Sequence, residues 1–122
     1  MAFDGIVTKA IVTELQEIIG SKIDKIYEPD KNTIILGLYF NGKNYALNIC
    51  IDSHNCRINL TTHQKENPLV APNFCMLLRK HLLGGRISGI SMLGLERLVK
   101  IEIETINEFN EIDVNTLIVE LM

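Results

Sequence analysis

The chain has 122 residues, 47% apolar and 22% charged, with a net charge of −3. That is enough for one domain with one core and too little for two ordinary domains, and the acidic balance argues against a protein that coats nucleic acid generically. Three cysteines (Cys50, Cys56, Cys75) are an odd number without a framework spacing, which reads as reduced thiols in the cytoplasm rather than a disulfide scaffold.

In chain order, Asp4 is placed to N-cap a first helix running to about Ile19, with Gly20 as its stop. Ile6, Val7, Ala10, Ile11, Leu15, Ile18 and Ile19 form its apolar stripe. The period then changes to two. Lys22 to Tyr27 alternates loosely, Pro29 to Asn32 reads as a turn, and Thr33 to Phe40 is a strand. Asn41-Gly42 is a hairpin signal leading into a partner strand, Lys43 to Ile51. A turn at Asp52 to Asn55 leads to Cys56 to Thr61, followed by a polar connection to Pro68 and Pro72.

A second helix opens at Asn73, a candidate N-cap, and stops at Gly84-Gly85. Phe74, Leu77, Leu78, His81 and Leu82 share one face, which predicts a buried stripe and presents Arg79 and Lys80 to water or to a partner. Arg86 to Met92 is a strand, Gly94 a turn, and Glu96 to Thr105 a strand with Val99, Ile101 and Ile103 on one face. After a loop at Asn107 to Asn110, Asn115 to Met122 is the last strand; ending inside an apolar run, the chain is expected to be one domain of a longer protein. Two helices and about seven strands predict a mainly antiparallel α+β domain, with a β-sandwich flanked by helices as the architecture.

Charge is distributed unevenly. From Arg79 to Lys100 there are five cations (Arg79, Lys80, Arg86, Arg97, Lys100) against one acid, Glu96. From Ile101 onward there are six acids and no Lys or Arg. The basic zone is therefore a candidate anion-binding face. Arg97 shares the strand face of Val99, so it either meets an anion or snorkels to solvent.

Cys50, Asp52, His54 and Cys56 crowd together, but their spacing matches no zinc pattern and reads as a hairpin turn, so no metal is expected. No nucleophile-plus-base pattern and no glycine-rich phosphate loop is visible, so neither an enzyme nor a cofactor site is expected; His81 reads as a packed residue. The start MAFDGIVTKA is not signal-like, and no apolar run nears the roughly 18 residues of a membrane span.

The blocks MAFDGIVTKAIVTEL, APNFCMLLRKHLLGGRISGI, GLERLV and TLIVELM, in that order, resemble the N-terminal domain of the NFACT family. This family comprises the bacterial RqcH proteins, also called fibronectin-binding protein A, and eukaryotic relatives such as NEMF. The resemblance implies a fold like the N-terminal β-sandwich domain of formamidopyrimidine-DNA glycosylases. It implies binding of tRNA and of the large ribosomal subunit obstructed by peptidyl-tRNA, in support of C-terminal alanine tailing of stalled nascent chains. It also places a functional acid on Asp4 and an acid–arginine pair on Glu96 and Arg97, with Glu here where the family has Asp. Asp4, Arg79, Lys80, Arg86, Glu96, Arg97 and Lys100 are thus the candidate nucleic-acid-binding residues. The alternative function is a fibronectin-binding surface adhesin. A DNA-repair glycosylase is weaker, because those enzymes use an N-terminal proline amine and this chain begins Met1-Ala2-Phe3-Asp4.

Overall fold

The computed structural model describes residues 5–51, 57–61, 72–92 and 98–120. The elements run α1 (Gly5–Leu15), a 3-10 turn (Gln16–Ile18), β1 (Lys22–Asp30), β2 (Thr33–Phe40), β3 (Lys43–Cys50), β4 (Arg57–Thr61), α2 (Asn73–Leu82), β5 (Arg86–Met92), β6 (Leu98–Ile106) and β7 (Ile112–Glu120).

The hairpin signals set the neighbours. Asn41 and Gly42 both take positive φ (51° and 76°), the geometry of a two-residue hairpin turn, and β2 pairs with β3 without a slip from Thr33↔Cys50 to Phe40↔Lys43. β1 runs past Tyr27, where the sequence predicts its end. A register shift between Tyr27 and Asp30 lets the strand carry Pro29, which has no N–H to give a regular ladder. β7 likewise begins at Ile112 rather than Asn115, because the Asn107 side chain organises a tight turn. Its Oδ1 accepts from the N–H of Phe109 at 2.9 Å and of Glu111 at 3.0 Å.

The strands form one antiparallel sheet, ordered β4-β3-β2-β1-β5-β6-β7, rather than the expected sandwich of two sheets. Local turn chemistry fixes the meanders β1 to β4 and β5 to β7; the joint between them is a long-range pairing that no turn encodes. That joint is narrow. Among the described residues only Lys22↔Arg86 pairs in the ladder, reinforced by Gly20 N–H to Ile87 O at 2.7 Å, Ile87 N–H to Ser21 O at 2.9 Å and Ile23 N–H to Gly85 O at 2.8 Å. α1 touches β4 as well as β5 and β6, so the sheet curves round it, and both meanders share one core that includes Leu15, Ile26, Leu36, Leu47, Ile87 and Ile101.

α1 ends sooner than predicted, tightening into the 3-10 turn, whose Gln16 amide donates to Ile90 O at 2.8 Å and ties it to β5. Ala10, expected in the stripe, is exposed, while Leu15 and Ile18 are buried. Side chains of the first turn lie outside the described ones.

α2 packs on β1 and β6, across the place where the two meanders part. Its N-cap is Pro72, without a side-chain cap, so Asn73 is the first helical residue rather than the cap. At the other end Gly84 takes φ 84° and its N–H reaches Ile23 O at 2.8 Å. Gly85 is required by space: a Cβ there would stand 2.7 Å from Ile103 Cγ2 and 2.9 Å from Glu104 O. The buried stripe of α2 is Cys75, Leu78 and Leu82. Phe74, Leu77 and His81, predicted to face the core, are exposed. The hydrophobic pattern fits either of two overlapping stripes, and the β1 backbone decides between them, as the contacts of Arg79 show.

Candidate nucleic-acid interface

Past Lys22, β1 has no strand partner among the described residues on the side facing β5, so its backbone groups there need other partners. α2 supplies them. Arg79 Nε donates to Ile26 O at 2.8 Å, the Cys75 thiol lies 3.5 Å from the same oxygen, and the Arg79 guanidinium sits over the Tyr27 ring, 5.9 Å from its centroid. Arg79 is therefore half-buried and engaged with the sheet, a correction to its predicted display toward water or a partner. Lys80, one residue on, is exposed as predicted.

Cys75 is buried, and that burial pushes its thiol pKa up, the nearby Glu28 carboxylate adding to the rise. The Arg79 charge and a backbone hydrogen bond from Glu28 act the other way without reversing it. Glu28 is itself buried, and its Oε1 has no hydrogen-bond partner among the described residues.

Arg86 opens β5 on the outer face of the sheet. Its Nη1 donates to Gly20 O at 3.3 Å, and it stands opposite Lys22 on one side and Glu104 on the other. Two exposed cations directly opposite each other repel, and Glu104 on the far side of Arg86 offsets part of that repulsion, so the Lys22–Arg86 joint can still accept an anion. Composition hides Lys22, because its neighbour across the sheet depends on strand order. Lys100 lies on the same outer face but opposite Ser91, several residue pairs from Arg86, and is paired with Glu102 at 2.8 Å. The basic zone of the sequence is thus split: Arg79 seals β1, Lys80 is displayed on α2, Arg86 joins Lys22, and Lys100 is neutralised locally.

Asp4, Glu96 and Arg97 lie outside the described residues, as do Asp52, His54 and Cys56 of the crowded turn. Cys50 is buried and 3.6 Å from the Thr33 hydroxyl, and the described residues contain no group of three side chains suited to a metal. Among the described residues, no helix is long and apolar enough to cross a membrane.

The family model described as "NFACT N-terminal and middle domains" matches residues 4–122. The chain belongs to that family. Among the NFACT relatives, the "Rqc2 homolog RqcH" of Bacillus subtilis is 40% identical over the whole chain, which spans 22% of that protein's length. Of solved structures, the N-terminal domain of fibronectin-binding protein PavA from Streptococcus pneumoniae superposes with a TM-score of 0.93 at 34% identity, covering 99% of this chain and 46% of that one. The N-terminal part of the fibronectin/fibrinogen-binding protein of Streptococcus suis gives 0.93 at 32% identity, with the same coverages. These structural neighbours are N-terminal parts of fibronectin-binding proteins rather than the glycosylases that the sequence resemblance named.

Proposed function

We propose that this domain is the RNA-facing N-terminal module of a cytoplasmic ribosome quality-control factor. It contacts tRNA and the large ribosomal subunit obstructed by peptidyl-tRNA, and within the longer protein it supports alanine tailing of stalled chains. It is a binding module, not an enzyme, and uses no cofactor. The observation that carries this reading is the 40% identity over the full chain to a protein named as an Rqc2 homolog. The exposed Lys22–Arg86 pair and Lys80 supply the phosphate contacts. Arg79 contributes by holding α2 in place, and Asp4, Glu96 and Arg97 form the unit that orients the tRNA.

The test is tRNA affinity of the domain against salt. Removing one cation that touches a phosphate should flatten the log–log slope by about one. Lys22→Glu with Arg86→Glu should flatten it by about two with the circular dichroism spectrum unchanged; an unaltered slope removes the joint from the interface. In the full-length chain, Arg97→Lys should keep the melting temperature and lose tailing, since lysine lacks the bidentate fork.

The names of the structural neighbours favour a second reading, an adhesin for fibronectin. Saturable binding of fibronectin by the folded domain, resistant to excess tRNA, would support it over the first.

A further inference from the structure

One row of cross-strand partners crosses the outer face of the sheet at the end where β1 begins and β2 turns into β3. It runs from Asn44 on β3 through Tyr39 on β2, Lys22 on β1, Arg86 on β5 and Glu104 on β6 to Val114 on β7. Leu38, Ile23, Ile87 and Ile103, each one residue along its strand, are buried in the core, so the row itself points outward. Tyr39 is 46% exposed. Next to it on the same face, Gly37 pairs with Lys25 on one side and Ala46 on the other, so β2 and β3 set only a glycine and an alanine beside the ring. A Cβ at Gly37 would stand 3.0 Å from Lys25 Cβ, so the glycine lets the Lys25 stem pack close to β2.

The charge beside the ring is mainly positive. Lys22 is about 5 Å from Tyr39 across the ladder, Arg86 about 10 Å away in the same row, and Lys25 diagonal to it. All three cations are exposed. Among the described residues, the acids at this end are Asp24, exposed in the bulge of β1, and Glu104, three strands from Tyr39 with Lys22 and Arg86 in between. Glu102, farther along β6, is engaged by Lys100 at 2.8 Å. The other outward tyrosine, Tyr27, has the Arg79 guanidinium over its ring, whereas Tyr39 keeps nearly half of its surface in water. An exposed ring with cations on one side and the Asn44 amide on the other suits a flat heterocycle joined to a phosphate. A duplex offers phosphates but hides the faces of its bases.

We infer that Tyr39 is a base-stacking residue of the RNA interface, so that this end of the sheet takes an unpaired nucleotide rather than a duplex. The inference rests on the RNA-binding reading above. The base lies against the Tyr39 ring over Gly37 and Ala46, Asn44 meets its polar edge, and Lys22, Arg86 and Lys25 hold the adjoining phosphates. Stacking uses the π-face that every base has, so the site tolerates any base and selects for the unpaired state.

The experiment is fluorescence anisotropy of the full-length chain with a short oligoadenylate and with a blunt RNA duplex of the same length. Tyr39→Ala should weaken binding of the single strand about 5- to 150-fold without weakening that of the duplex. The salt slope should not change, because stacking releases no counterion. Tyr39→Phe, which keeps the ring, should bind as the unsubstituted chain does. Repeating the comparison with tRNA and with large ribosomal subunits shows which supplies the nucleotide, as the one whose binding Tyr39→Ala weakens. A loss that is equal on the two short RNAs, or that Tyr39→Phe shares, would make Tyr39 a structural residue and overturn the inference. No loss in Tyr39→Ala beside a flattened slope in Lys22→Glu with Arg86→Glu would overturn it and leave the phosphate contacts standing. If neither variant changes binding, both the stacking site and the phosphate contacts at this end of the sheet are refuted.

Discussion

Arg79 and Lys80 are adjacent cations on one helix, and the structure gives them opposite jobs. Removing Arg79 as Arg79→Ala strips the donor from Ile26 O, a carbonyl on the unpaired side of β1, and removes the charge over Tyr27. A hydrogen bond from a charged donor is worth about 1.5–3 kcal/mol and an exposed cation–π contact about 0.5–1 kcal/mol. Because Arg79 is only half-buried, the lower part of that range applies, and the loss should be about 2 kcal/mol. At this chain length that is a fall in melting temperature of roughly 6–10 °C. Lys80→Ala removes an exposed side chain and should stay within about 0.5 kcal/mol. Urea and thermal denaturation of the two variants, followed by circular dichroism, measure the difference. Equal shifts, or an Arg79→Ala cost under about 0.5 kcal/mol, would refute the assignment of Arg79 to the sheet and return it to the displayed cations.

Leu78→Ala, in the buried stripe of α2, should cost roughly 2–5 kcal/mol by denaturant titration. Gly85→Ala should destabilise by about 1–3 kcal/mol, since the added methyl overlaps Ile103, Thr105 and the Glu104 carbonyl; a neutral result would mean that β5 and β6 can separate freely. For Cys75 the folded pKa is raised, so the native state holds the proton more tightly than the unfolded chain. Its contribution is complete below the ordinary thiol pKa of about 8.5 and is lost as pH rises above it. Urea midpoints taken from about pH 7 to 10 should therefore fall more steeply for the unsubstituted chain than for Cys75→Ser, which cannot titrate in that range.

Elements governed by neighbours in sequence are legible. The β2–β3 hairpin follows from Asn41-Gly42, and β5 from the glycine pair before it and its alternation after; β2 and β5 match their predicted bounds, and β3 stops one residue short of the predicted Ile51. What sequence reasoning misses depends on residues distant in the chain. The α2 face is ambiguous because Phe74–Leu77–His81 and Cys75–Leu78–Leu82 are rival stripes on one helix. The second wins by placing Arg79 and Cys75 against the bare Ile26 carbonyl. The candidate site eludes the sequence for the same reason. A run of cations in sequence becomes separate locations once β5 lies beside β1 and Lys100 finds Glu102.

If the joint binds an anion as proposed, its narrowness would couple that binding to the integrity of the domain. Lys22↔Arg86 is the one ladder pair that ties the two meanders together among the described residues, and it sets two like charges side by side. That repulsion acts where the sheet has fewest backbone bonds to resist it, so the joint is the natural place for the sheet to yield. An anion bridging both cations removes the repulsion and adds charge-assisted hydrogen bonds across the seam. Binding would then stabilise the fold by the amount that the anion prefers the closed joint over the open one. The helix that closes the rest of the gap is α2, pinned to β1 by Arg79, so Lys80 and the Lys22–Arg86 pair keep a fixed relation only while that pin holds. If the domain binds RNA as proposed, Arg79 would act on that affinity through geometry, since its own guanidinium is committed to the protein.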